Sequence, residues 1–341
     1  VHQEGRKARA LIETARDAIA GALGTIAPTV VFTSAGSESC NQALRCVAAD
    51  RIIVSAIEHP CVLQAASASG LQVDVLPVDR NGVVELSALG NLLGKDDGRA
   101  LVSVMLANNE TGAVQPIRDV VAMAQEHNAL VHCDAVQAFG KLPVNFGLLG
   151  VDLLSVSAHK LGGPKGVGAL IVRGDPKLPA YLHGGGQEYG LRGGTENVAG
   201  IVGFGEACVL AREELADRLV RQGELRDRLW AGLQKRIDGL RWNGDRDRQL
   251  SNTLNVEFEG LAGEVLVQAL DVEGIAVSAG AACHSGSIEP SKILLAMGRT
   301  SEQARASIRL SVGWGVDESQ VDRVAEVLGT LVPRIRAAEA P

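Results

Sequence analysis

The sequence predicts an α/β fold with a mostly parallel sheet flanked by helices, followed by a smaller C-terminal α+β domain. Short apolar runs alternate with amphipathic stretches through the first part of the chain, as expected of strands that helices cover on both faces. Beyond a glycine-rich loop at 184–194 the rhythm changes to a long charged helical stretch, then to half-buried strands. A length of 341 residues allows two cores. The expected division is a large domain over 1–210 and a small one over 211–341.

The elements follow in order. Ala8, Leu11, Ile12, Ala15, Ile19 and Leu23 recur at three- and four-residue steps, which predicts a helix over 8–23. Strands are expected at 30–33, 52–55, 73–78, 101–106, 130–133, 153–157 and 167–172, with helices at 38–49, 61–68 and 117–127 between them. The charged stretch 206–237 keeps Trp230, Leu233 and Ile237 on one helix face. In the last part Leu254, Val256 and Phe258 alternate as in a strand. A helix is expected over 264–270, strands over 275–278 and 308–312, and a final helix through Val321, Val324, Leu328, Leu331 and Ile335.

Composition narrows the function. Apolar residues at 46% and charged residues at 21% exclude a disordered or collagenous chain. A net charge of −7 argues against nucleic acid as the main partner, and 3% aromatics leave few platforms for stacked bases. The 40 glycines point to turns and close backbone approach to a ligand. Cys40, Cys46, Cys61, Cys133, Cys208 and Cys283 form no C-x-x-C pair, and reduced thiols spread in this way imply a cytoplasmic protein. No apolar run approaches the ~18 residues of a membrane span. The start at Val1 carries no apolar signal core and no initiator Met, so further residues are expected to precede it.

In a doubly covered sheet, ligands bind at the carboxyl ends of strands. Three loops there carry chemistry. In Ser155-Val156-Ser157-Ala158-His159-Lys160, a lysine directly follows a buried strand, and an amine there can condense with an aldehyde. Taken alone it reads better as a solvated loop lysine. Asp134 ends the preceding strand, where a carboxylate can hold a protonated pyridine nitrogen or simply cap a turn. His132 and Asp134 lack an evident third ligand, so no metal is expected. The turn Thr33-Ser34-Ala35-Gly36-Ser37-Glu38-Ser39 offers backbone N–H groups for a phosphate, or an ordinary helix cap. Phosphate cradle, ring partner and aldehyde-binding lysine on one sheet make a joint pattern that structural roles do not explain.

With these residues in place, the sequence resembles the cysteine desulfurases, a part of the class V aminotransferase group of fold-type I pyridoxal phosphate enzymes. The resemblance runs through FTSAGSES at 32–39, EHPCV at 58–62, NNETG at 108–112 and HCDAVQAFGK at 132–141. It continues through SAHKLGGPKGVGAL at 157–170, HGGGQEYGLRGGTEN at 183–197, SAGAACHSGSIEPS at 278–291 and SIRLSVG at 307–313. It implies pyridoxal 5'-phosphate as cofactor, bound covalently through Lys160, with Asp134 on the ring nitrogen. Gln137 and Asn109 would bond the ring oxygen side and the substrate region. His59 would stack on the ring and move protons. Gly36, Ser37, Ser157 and His159 would hold the phosphate. Thr195 would reach the phosphate of a neighbouring subunit, which implies a homodimer. Arg309 would clamp the substrate carboxylate with its two-pronged guanidinium.

Cys283 decides the reaction, because the fold alone does not. It lies among small and polar residues beside His284, a setting that suits a mobile nucleophilic thiolate. The other five cysteines lie in apolar runs and read as structural. The resemblance then implies conversion of L-cysteine to L-alanine, a persulfide on Cys283, and sulfur transfer to an iron–sulfur scaffold or another acceptor protein. The chain departs from the family in three places: its first strand and asparagine-rich turn are absent, the cradle reads SAGSES rather than SGATES, and His284 replaces a usual Thr or Ser. Two other readings stand beside this one: a selenocysteine lyase or aminotransferase of the same group, and a non-catalytic sulfur carrier.

Overall fold

The computed structural model describes residues 2–95, 98–174, 178–279 and 289–339. They form two compact units: 1–77, 84–107 and 115–215 in the first, and 78–83, 108–114 and 216–341 in the second.

The first unit is built on a seven-stranded sheet. Its strands are β1 (Val30–Thr33), β2 (Arg51–Ser55), β3 (Gln72–Leu76), β4 (Ala100–Ser103), β5 (Leu130–Asp134), β6 (Leu153–Ser157) and β7 (Gly168–Val172). The order is β1-β7-β6-β5-β4-β2-β3. From β6 to β3 all neighbours are parallel, whereas β7 is antiparallel to both β6 and β1. Two reversals leave β1 running in the same direction as β6, so the carboxyl ends of β1, β2, β5 and β6 share one edge. Every residue of those four strands is buried, as their apolar runs predict.

The helices are α1 (Gln3–Ala22), α2 (Gly36–Cys46), α3 (Pro60–Ser67), α4 (Leu86–Leu93), α5 (Ile117–Glu126), α6 (Phe146–Leu149) and the first part of α7 (Val198–Gln234), whose residues from 216 on belong to the second unit. Cys40, Ala43 and Leu44 of α2 and Val62, Ala65 and Ala66 of α3 pack with Val31, Ile52, Leu101, Leu153 and Leu170 in one core cluster. Two departures from expectation have local causes. The eight-residue α4, with Gly90 inside it, is too short to show a period. Helix α7 starts at Val198 rather than near 206, because Gly203 and Gly205 weaken the helical signal. Gly205 is needed there: a Cβ on it would stand 2.9 Å from the Ala15 Cα of α1.

The second unit contains an antiparallel sheet in the order β10-β11-β9-β8. Its strands are β8 (Leu240–Trp242), β9 (Thr253–Phe258), β10 (Ser278–Ala279) and β11 (Ser307–Ser311). Helices α8 (Gly263–Val272), α9 (Lys292–Ala296), α10 (Ser301–Arg305) and α11 (Glu318–Glu339) complete it. Leu229, Leu233, Val256, Phe258, Leu266, Leu270, Ile308 and Leu328 form its core. The strand expected over 275–278 starts only at Ser278. Gly274 adopts a left-handed φ of 73°, and the Ile275 N–H bonds back to the Leu270 carbonyl, closing α8 instead of entering a ladder. Among the described residues, no helix is long and apolar enough to cross a membrane.

Candidate active site

The carboxyl edge of the first unit gathers most of the residues singled out from sequence. Asp134 is the last residue of β5, and Lys160 closes a single helical turn, Ala158–Lys160, directly after the neighbouring β6. His59 is the N-cap of α3, with Pro60 at the first helical position, where its missing N–H costs nothing. Hydrogen bonding to Cys61 raises the proton affinity of the His59 ring against its burial, with the Asp134 charge adding to the rise and the Lys160 charge opposing it. Gly36 opens α2. A Cβ there would meet Val136 Cγ2 at 2.6 Å and Ser157 Cβ at 3.7 Å, so glycine is required for α2 to start against the ends of β5 and β6. Ser37 follows at the exposed first turn.

Asp134 is 5% exposed. Its Oδ1 accepts the Val136 N–H at 2.9 Å and its Oδ2 lies 3.9 Å from the Cys40 thiol. Burial, then the nearby Cys61 charge, pushes the carboxyl up to about 6, against the Val136 N–H and His59. Glu58 is also buried and is pushed well up by burial and by Asp134; its Oε1 accepts the Met105 N–H at 2.7 Å. Ser157 and His159 pair through Oγ and Nδ1 at 2.9 Å. Burial and three lysines, Lys160, Lys165 and Lys141, hold the His159 ring below its ordinary pKa, which favours its neutral, bonding form. The Gln137 side-chain Oε1 accepts a hydrogen bond from the Lys141 ammonium at 2.8 Å.

His132 belongs to the core instead. It is fully buried between Ser103 of β4 and Ser155 of β6, at 2.8 and 2.9 Å, and burial pulls it down to about 3. The neutral ring ties three strands together. A group that could hold a metal ion lies elsewhere: donor atoms of Cys40, Cys61 and Asp134 fall within 4.8 Å of one another. Cys133 and Cys208 are buried as expected, but Cys61 is only half-buried, with its sulfur 3.0 Å from His59 Nδ1.

Nothing in the local sequence pattern signals the tie between the cradle and the glycine-rich loop. Arg192 pairs with Glu38 of α2 at 2.9 Å, Glu38 accepts the Ser34 N–H at 2.8 Å, and Gln42 donates to the Leu191 carbonyl at 2.8 Å. Their separation in sequence hides them. Thr195 is exposed at the end of this loop.

The second unit holds its own cluster. Arg309, in the middle of β11, donates through Nη1 to the Asn109 carbonyl at 2.6 Å and through Nη2 to Ser278 Oγ at 3.2 Å. Among the described residues, Arg309 Nε and Asn109 Oδ1 are buried without a hydrogen-bond partner. Glu110 is buried, accepts the Ser291 hydroxyl at 2.5 Å, and is pushed up to about 7 by burial, against Ser291 and Arg309. Cys283 and His284 lie outside the described residues.

These donors suit pyridoxal phosphate. A buried carboxylate whose partners are an N–H and a thiol can accept a pyridinium proton. Uncapped N–H groups of α2 beside Ser37, Ser157 and His159 suit a phosphate, since the Ala35 N-cap supplies no side-chain acceptor.

The profile of the aminotransferase class-V family matches residues 1–324. The cysteine desulfurase IscS of Dictyoglomus turgidum is 42% identical, the match covering 98% of this chain and 87% of the relative. A solved NifS-like protein superposes with a TM-score of 0.90 at 37% identity, covering 98% of this chain and 90% of its own. A structure of SspA in complex with cysteine gives a TM-score of 0.79 at 34% identity, covering 92% and 89%.

Proposed function

Because this chain belongs to the class-V aminotransferase family and is within it a pyridoxal phosphate-dependent cysteine desulfurase, we propose that the residues at its sheet edge, together with Arg309 and Cys283, divide the reaction as follows. Asp134 holds the ring nitrogen through its buried carboxylate. Gly36, Ser37, Ser157 and His159 bind the phosphate, and Thr195 does so toward the second subunit of a homodimer. His59 covers the ring face, while Gln137 and Asn109 bond the polar side of the ring and the substrate. Bound there, the cofactor supplies an aldehyde to hold the substrate amine and a ring that draws electron density as the α-C–H bond breaks. Lys160 anchors it and takes the α-proton on Nζ. Arg309 clamps the substrate carboxylate, a role that suits its spare buried donor. The Cys283 thiolate attacks the substrate sulfur, the Cβ–S bond breaks, and the carbon skeleton takes up protons and leaves as L-alanine. One sulfur remains as a Cys283 persulfide, and its outer atom passes to an acceptor protein, an iron–sulfur scaffold or a thio-cofactor or tRNA thiolation factor. The small domain over 211–341 carries this cysteine loop, and the protein works in the cytoplasm.

The observation that supports this division most is the placement of Asp134 and Lys160 at the ends of paired parallel strands, with His59 sensing both charges. The test is to incubate the holoenzyme with L-cysteine, measure alanine, and weigh the Cys283 peptide intact. One added sulfur on that peptide is expected, and Cys283→Ala abolishes both the adduct and turnover. Undiminished alanine formation by Cys283→Ala would remove the nucleophile from the scheme.

A further inference from the structure

Cys40 and Cys61 lie far apart in sequence, on α2 and α3, yet their sulfurs and an Asp134 carboxylate oxygen fall within 4.8 Å of one another. The pair is asymmetric. Cys61 sits half-exposed in the first turn of α3, with its sulfur 3.0 Å from His59 Nδ1, whereas Cys40 is wholly buried and 3.9 Å from Asp134 Oδ2. One thiol is thus open to solvent beside an imidazole, and the other is shielded beside a carboxylate. We propose that Cys40 and Cys61 form a redox-active dithiol that closes to a disulfide beneath the ring-nitrogen pocket, with a low-molecular-weight disulfide as oxidant.

The electrostatics follow the geometry. Hydrogen bonding from Cys40, then from His59 and Ser37, brings the Cys61 thiol down to about 5, against its burial, so it is a thiolate at neutral pH. Cys40 is pushed well up by the bond to Cys61 and by burial, which keeps its proton until the thiolate is consumed. The Cys61 thiolate attacks a disulfide RSSR; a Cys61–S–S–R bond forms and RS⁻ leaves. Cys40 then gives its proton to Asp134 Oδ2 and attacks the Cys61 sulfur, and the second RS⁻ leaves. In sum, the Cys61 thiolate and the Cys40 thiol are oxidised to one disulfide and RSSR is reduced to two thiolates, one of which takes the Cys40 proton back from Asp134 and leaves as RSH. Closure removes the thiolate charge that raises the proton affinity of Asp134, and so weakens its hold on a protonated ring nitrogen. That consequence rests on the role given to Asp134 above; formation of the bond does not.

The test is thiol mapping of the holoenzyme and of the cofactor-free protein, poised in glutathione redox buffers with a chelator present and quenched by alkylation in denaturant. Trypsin cutting after Arg16, Arg45, Arg51 and Arg80 places Cys40, Cys46 and Cys61 on three separate peptides. As the buffer becomes oxidising, the alkylated Cys40 and Cys61 peptides are expected to disappear together. One joint peptide, lighter by two hydrogens, replaces them, and dithiothreitol restores both. The Cys46 peptide stays alkylated throughout. In Cys40→Ser, Cys61 is expected to stop at the mixed disulfide with glutathione. A wild-type Cys61 that stays fully alkylated, stops at the mixed disulfide, or joins Cys283 instead would overturn the proposal. The readout needs no turnover, so it stands or falls separately from the assignment of Cys283.

Discussion

Asp134 serves two needs through one buried carboxylate: it accepts the Val136 N–H, which fixes the turn after β5, and it keeps an oxygen facing the Cys40 side. Asparagine at this position retains an acceptor for Val136 but loses the charge. Asp134→Asn should therefore fold normally and lower kcat by about 10²-fold or more, as removal of one preorganised electrostatic partner does. Alanine production from cysteine, alongside the absorbance of the bound cofactor, measures this; wild-type turnover would remove Asp134 from the ring nitrogen. Asp134 and Lys160 are readable in the sequence because each lies at the carboxyl end of a strong apolar strand, so their place at the sheet edge follows from local pattern. Cys40 and Cys61 are not. Each sits in a helical turn that reads as core, and only the packing of α2 on α3 brings the two sulfurs to one carboxylate.

Among the elements, α1, β1 and the glycine-rich loop are locked by one buried ion pair. Arg16, with no exposed surface, donates through Nη1 and Nη2 to the two Glu188 carboxylate oxygens at 2.8 Å. It also donates to the Val30 carbonyl, while Glu188 accepts the Phe32 N–H at 2.8 Å. Neighbouring Tyr189 holds a left-handed φ of 59°, a strained conformation for a tyrosine, and its ring lies 5.2 Å from the Arg16 guanidinium. Removing Arg16 leaves the Glu188 carboxylate buried without its guanidinium. Arg16→Ala should destabilise the fold by about 3–5 kcal/mol in denaturant unfolding, and the double change Arg16→Met, Glu188→Gln should recover much of that loss. A single variant within about 0.5 kcal/mol of the wild type would contradict the lock. At this scale the sequence pattern succeeds where burial and period agree, as in β6 and α5. It fails where glycine serves packing, as in the first turns of α7, or where an N–H is diverted, as at Ile275.

For the molecule as a whole, two buried groups, one in each unit, respond to pH with opposite sign. In the first unit His132 is neutral in the fold, with its pKa pulled from 6.5 to about 3, so its contribution is present above 6.5 and is lost as pH falls toward 3. In the second unit Glu110 runs the other way. Folded, its carboxyl ionises near 7; unfolded, near 4.5. Below 4.5 both states hold the proton and the contribution is complete. Between 4.5 and 7 the unfolded chain releases its proton first, so stability falls as pH rises, and above about 7 the contribution is gone. The change amounts to about 3 kcal/mol. Trp230, Trp242 and Trp314, which account for all three tryptophans of the chain, belong to the second unit, so their fluorescence in urea reports its unfolding. Glu110→Gln keeps an acceptor for Ser291 but cannot titrate. The gap in stability between wild type and Glu110→Gln should therefore shift by about 3 kcal/mol, to the disadvantage of the wild type, as pH rises from 4.5 to 7.5. Two parallel curves across that range would mean that Glu110 ionises alike in the folded and unfolded chain, and that its burial does not hold the proton.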